Sequence, residues 1–202
     1  MSTLLTHCIE AYTVQLHQPI TDALALKGIS MIAENLEKAY ENGEDREARR
    51  NMMIASTIGG MAFISSNVGA VHAFAETVGA WFDTPHGVAN SLFLPYIMEF
   101  NIPACPERFA DIADAMGIER EESMSDEQYA LKAVEYVKAL NRKLNIPTIK
   151  EIKGITEERF EAIAERSANN VLSNDNARKI TKERLLGAVK KSLQMNNEDM
   201  RL

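Results

Sequence analysis

An all-α fold is predicted from three observations. Apolar residues recur at helical spacing in nearly every segment, sustained alternation with a period of two is absent, and helix start and stop residues bracket the periodic runs. The first run, Leu5-Thr6-His7-Cys8-Ile9-Glu10-Ala11-Tyr12, reads as a helix whose apolar neighbours suggest burial of His7. Asn42-Gly43 breaks the pattern, and the charged stretch from Asn42 to Arg50 reads as a solvated turn and helix start. Asn51 to Asn101 is different in kind: rich in Ala, Gly, Met and Ser, nearly uncharged until Glu76, and expected to be buried on several faces. Phe109, Ile112, Ala113 and Met116 then form one apolar stripe. Ala130, Val134, Val137, Leu140 and Leu144 form another, opened by a capping box of Ser125 and Gln128. Thr156 and two glutamates suited to the positive end of a helix precede Phe160, Ile163, Ala164, Ala168 and Val171. Leu186, Val189 and Leu193 close the series, and further breaks fall at Gly117, Pro147 and Gly154. Residues 1–202 are read as a single helical domain, with 1–101 supplying the site helices and 102–202 the outer ones.

Composition narrows the function classes. With 29 acidic against 22 basic residues the net charge is -7, and no stretch gathers Lys and Arg with interleaved aromatics, so nucleic acid is not an expected partner. The opening MSTLLTHCIE has no basic region or signal-length apolar stretch, and no window approaches the roughly 18 uninterrupted apolar residues of a membrane span. Cys8 and Cys105 stand far apart, forming neither a CxxC pair nor a ligand cluster, which fits buried thiols in a reducing cytoplasm.

The central segment carries the chemistry. A stretch expected to be buried, yet containing His72, Glu76, Asp83 and His86, pays several kcal/mol for those polar groups unless partners or a metal satisfy them. His72 and Glu76 are four residues apart, one helical turn, and can converge on a single atom. His86 lies fourteen residues after His72 in Asp83-Thr84-Pro85-His86-Gly87, where Thr84 is a natural N-cap and Pro85 a natural first helical residue, placing His86 in the first turn of a new helix. Two imidazoles and a carboxylate suit Zn(II) or Fe(II), and an open coordination position would make such a site catalytic. Hydrogen-bonded core histidines are the competing reading. His7 can be brought to the same place by folding, whereas His17, beside Gln18-Pro19, reads as a loop residue.

These residues resemble the iron-containing (group III) alcohol dehydrogenases, in particular their lactaldehyde and propanediol reductase branch. Thr6-His7-Cys8-Ile9-Glu10-Ala11-Tyr12 is similar to the family's metal-binding helix. Gly69-Ala70-Val71-His72 through Thr84-Pro85-His86-Gly87-Val88-Ala89-Asn90 is similar to its central motif. Leu94-Pro95, Phe100-Asn101, Asn141 to Pro147 and Asn176-Ala177-Arg178 continue the likeness, the last with alanine where the family has proline. The resemblance implies the helical C-terminal domain of the dehydroquinate synthase-like architecture, without the N-terminal α/β domain whose glycine-rich loop binds NAD(P). Gly59-Gly60 lies inside an apolar helical run and supplies no such loop.

What the resemblance implies for the site is a divalent metal, Fe2+ or Zn2+, held by an aspartate and three histidines. His7, His72 and His86 match the histidines. Counting back four from His7 reaches Thr3, where the family has its aspartate, so one ligand is absent. Glu76 stands where the family places a non-ligand histidine near substrate and nicotinamide; it either returns the missing carboxylate or lines the cleft. The implied reaction is hydride transfer between a small alcohol or aldehyde and NAD(P), the metal polarising the oxygen, with the hydride carrier on a separate domain. The chain is therefore expected to be the metal-binding, substrate-facing domain of such an oxidoreductase, inactive alone and associating with itself or with the missing domain. A non-catalytic helical remnant or assembly module is the alternative. A relative closer to glycerol dehydrogenase or dehydroquinate synthase is a third, against which the wording of Thr84 to Asn90 speaks.

Overall fold

The computed structural model describes residues 2–194, and every regular element among them is helical. The order is α1 (Ser2–Thr13), α2 (Pro19–Glu41), α3 (Arg46–Ser66), α4 (Ala70–Phe82), α5 (His86–Asn101), α6 (Pro106–Ala115), α7 (Asp126–Lys143), α8 (Glu157–Ala168) and α9 (Lys182–Gln194). Short 3-10 turns occupy Ile102–Ala104, Ile149–Glu151 and Val171–Asp175.

Local chemistry sets the boundaries. Asp45 caps α3 by accepting the Ala48 N–H at 2.9 Å, and Ser125 with Gln128 forms the expected reciprocal box at 3.2 and 3.0 Å. The α3–α4 break falls at Asn67, which adopts φ 76° while its own amide oxygen accepts the Val68 N–H. Asp83 ends α4 at φ 50°. One start signal is displaced: Pro85, not Thr84, occupies the cap position of α5, and His86 is its first helical residue. Pro85 itself has an extended ψ of 131°, so the helix starts one residue later than expected and Thr84 is left buried with an unpartnered hydroxyl rather than capping it.

Packing is organised around α1, which buries Leu5, Cys8, Ile9, Ala11 and Tyr12 and touches α2, α3, α5 and α6. Its approach to α2 and α3 depends on two absent side chains. A Cβ on Gly28 would lie 2.6 Å from the Cys8 sulfur, and one on Gly59 would lie 3.0 Å from it. The thiol is wedged between two backbones, and burial pushes its pKa up to about 12, so it is inert packing material. On the opposite side Arg108 of α6 stacks on the Tyr12 ring at 3.9 Å, donates to the Tyr12 carbonyl at 2.7 Å and pairs with Asp22 of α2 at 2.6 Å.

The stripes of α6 and α7 are buried as predicted, Phe109, Ile112, Ala113 and Met116 on one and Ala130, Val134, Val137 and Leu140 on the other, except that Leu144, just past the end of α7, is half-buried. Two expectations fail. The segment from Asn51 is not buried on several faces throughout. α3 buries one stripe of mostly small residues, Ala48, Met52, Ala55, Gly59, Ala62 and Ser66, leaving Met53, Met61 and Ile64 exposed at 75, 56 and 78%. Val171 is 71% exposed, because α8 ends at Ala168 and the 3-10 turn that follows changes the helical phase. In α9 the buried residues are Leu185, Ala188 and Val189, with Leu186 half-buried, while the side chain of Leu193 lies outside the described residues. Among the described residues no single helix is long and apolar enough to cross a membrane.

Because Ala is a better helix former than Gly, Gly28→Ala would be stabilising on propensity alone. The Cys8 sulfur reverses that sign: a loss of about 1–3 kcal/mol is expected in denaturant unfolding, recovered largely in the Cys8→Ala/Gly28→Ala double variant.

Candidate metal centre

Three helices bring three histidines together. His7 of α1 stacks on His72 of α4, with ring centroids 4.6 Å apart and planes at 18°, and His72 meets His86 of α5 at 5.4 Å and 51°. The far face of His7 is covered by Phe63 of α3, 4.3 Å away, a neighbour that sequence spacing did not suggest. His72 is only 5% exposed, His7 half-buried and His86 exposed. His7 and His72 lie face against face with His86 tilted to them, and among the described residues no three His, Cys, Asp or Glu side chains converge on one metal-sized point.

Beneath His72 is a polar scaffold. Glu10, one turn after His7 and itself buried, accepts the Val71 N–H at 2.7 Å through one carboxylate oxygen and bonds the His72 Nδ1 through the other. Asn176 accepts the Ala70 N–H at 3.2 Å and forms a reciprocal amide pair with Asn101 at 2.7 and 3.2 Å. The first orphan N–H groups of α4 are thus met by side chains from two remote segments. Gly69 makes the approach possible: a Cβ there would lie 2.9 Å from the Asn176 oxygen and 3.2 Å from Glu10. The opposite nitrogen of His72, Nε2, is buried with no partner.

Burial, then the neighbouring His72 and His86, lower the His7 pKa to about 4, leaving a neutral ring with a lone pair at pH 7. His86 is lowered in the same sense, by desolvation first and His72 second, with Glu76 opposing. Asn90, one turn along α5, places its amide 2.9 Å from His86 Nε2.

The four polar residues of the central segment are not buried together. His72 alone is buried, whereas Glu76, Asp83 and His86 are exposed, because α4 turns its C-terminal half to the surface and α5 begins there. Glu76 accepts from the Asn170 amide at 2.7 Å, and His17 lies in a loop with its Nδ1 3.4 Å from Asp22. Thr3 is positioned against the first turn of α5: a Cβ on Gly87 would be 2.8 Å from its hydroxyl. Sequence reasoning missed Glu10, although a lone carboxylate three residues after His7 in an apolar helix marks the same face.

This helical architecture with its histidine cluster has known counterparts. Residues 1–193 match the model of the Fe-containing alcohol dehydrogenase family, C-terminal, and the chain belongs to that family. Alcohol dehydrogenase 4 of Saccharomyces cerevisiae is 40% identical over 193 residues, covering 94% of this chain and 48% of the relative. The 1,3-propanediol dehydrogenase of Klebsiella pneumoniae is 41% identical over 175 residues, covering 87% and 45%. A crystal structure of 1,3-propanediol oxidoreductase superimposes with a TM-score of 0.90 at 37% identity, over 95% of this chain and 50% of the other. The chain spans about half the length of these relatives, the half that forms their C-terminal helical domain.

Asn176 ties the start of α4 to the end of α5, so Asn176→Ala strands the Ala70 N–H and the Asn101 amide in a buried place. A loss of about 2–4 kcal/mol is expected in chemical denaturation, more than one exposed hydrogen bond is worth.

Proposed function

We propose that the chain is the metal-binding, substrate-facing domain of an NAD(P)-dependent alcohol dehydrogenase or aldehyde reductase, with His7, His72 and His86 as the protein's metal ligands. The observation carrying this reading is that three helices bring three imidazoles into ring contact while leaving the buried His72 Nε2 without a partner. An unsatisfied buried nitrogen lone pair costs free energy in the metal-free protein and suits a borderline cation such as Zn(II) or Fe(II). The low His7 pKa supports the same reading, since only neutral imidazole ligates. The stacking of the rings means that metal capture involves their rotation into convergence. A divalent ion held there supplies Lewis acidity toward the oxygen of a small alcohol or aldehyde. Phe63 and the buried wall of α4 keep water from one side of the cluster, and the exposed His86 leaves the other side open.

Hydride transfer would require NAD(P) held by a separate nucleotide-binding domain, because the described helices contain no glycine-rich loop between strand and helix. The exposed Met53, Met61 and Ile64 of α3 support association with such a domain or with a second copy. The same face supports the alternative reading of a helical assembly module without catalysis.

The 202-residue chain is accordingly expected to give no NAD(P) reduction with small alcohols, and measurable turnover with any of them would overturn that expectation.

Metal loading is read directly by elemental analysis, with about one Zn(II) or Fe(II) per chain expected. Thr3→Asp places a carboxylate one helical turn before His7 and should tighten binding by at least about tenfold in calorimetric titration. Glu76→Gln should be nearly silent, since that carboxylate is exposed and engaged by Asn170. Abolition of binding by Glu76→Gln, with no effect of Thr3→Asp, would make Glu76 the ligand instead.

A further inference from the structure

We propose that Glu10 is a positioning residue for the metal centre, fixing the tautomer and orientation of His72 so that Nε2 presents its lone pair. The proposal concerns the ligand set argued above, but its physical basis lies in the arrangement of this chain's own donors and acceptors.

A carboxylate has only acceptors to offer, and Glu10 is 3% exposed, so each oxygen must meet a donor. One oxygen takes the Val71 N–H at 2.7 Å, at the positive end of α4, where a negative charge is favoured. The other bonds His72 Nδ1. A neutral imidazole with Nδ1 facing an acceptor carries its proton there, which leaves Nε2 as the lone-pair nitrogen. That nitrogen is the buried atom with no protein partner. Any other tautomer would bury an N–H at Nε2 without an acceptor and set a lone pair against the carboxylate, two faults at once.

The helical frame makes the placement rigid. His7 and Glu10 share one face of α1, so the helix that brings the His7 ring to 4.6 Å from His72 also delivers the carboxylate beneath it. Val71 and His72 are consecutive on α4, so a single side chain reads the helix start and the imidazole together. Gly69 keeps the approach open, since a Cβ there would crowd Glu10 at 3.2 Å. Carboxylates that orient a ligating histidine through its second nitrogen typically change metal affinity by about 10–100-fold when removed.

The test uses the full chain. In the metal-free native protein, 15N NMR of the His72 ring should show the Nδ1-protonated tautomer, and a ring protonated on Nε2 overturns the proposal. In Glu10→Gln, similar in size but with an amide NH2 facing either the Val71 N–H or the imidazole, the tautomer preference should weaken. The Zn(II) Kd in calorimetric titration should rise about 10–100-fold while the helical circular dichroism at the titration temperature stays native. A Glu10→Gln Kd within twofold of a native chain that binds one Zn(II) would reduce Glu10 to a helix cap and sink the proposal. Failure of the native chain to bind Zn(II) at all would instead remove the ligand assignment, and the NMR tautomer still decides for or against Glu10. If Glu10→Gln does not fold, the native NMR measurement and the pair Glu10→Asp and Gly69→Ala carry the test: both should disturb the tautomer and weaken Zn(II) binding, and unchanged values in both would refute it.

Discussion

A carboxylate buried inside an all-helical domain has to be met by hydrogen-bond donors, and the way Glu10 is met shapes the surrounding fold. Helices have few donors to spare in their interiors, where every N–H is already bonded along the axis. They are free at N-terminal ends, so α4 begins against α1, pointing its start at Glu10. The neighbouring orphan N–H at Ala70 is met by Asn176, which draws in the loop after α8 and, through Asn101, the end of α5. Four remote stretches of chain are thus fixed to one another by a handful of buried polar groups, and the histidines ride on the helices that those groups hold in register.

Close packing of α1 is the second requirement, because a central helix cannot deliver side chains accurately unless its neighbours are tight around it. Cys8 lies between Gly28 and Gly59, and Arg108 clamps Tyr12 on the opposite face. Glycine's low helix propensity is accepted at both positions in exchange for backbone proximity. Gly69 and Gly87 serve the same geometric end near the site, admitting Glu10 with Asn176 in one case and Thr3 in the other. These four glycines therefore matter for the space they leave, whereas Gly117 and Gly154 serve a positive φ.

The site combines a dry floor with an open rim. His72 has its floor provided by Glu10, its flank by His7 and, beyond that ring, Phe63, while His86, Glu76 and Asp83 stand at the surface. On α3 the side chains of Met53, Met61 and Ile64 are left outward.

Periodicity determined the helical class, the positions of most breaks and the buried stripes of α6 and α7, because a period of 3.6 is a local property written in consecutive residues. The histidines were legible for a similar reason, as rare polar types at helical spacing in apolar surroundings. Three things were decided only by tertiary structure. The exposure of Glu76 depends on which face of α4 meets α8 and which meets solvent, and that of His86 on α5 beginning at the surface. The single-sided burial of α3 depends on α1 and α2 covering one face alone. The role of Glu10 depends on a helix start that lies 61 residues further along the chain. A carboxylate in an apolar run can be seen in a sequence, but the donors that satisfy it arrive from remote segments, and only packing determines which ones those are.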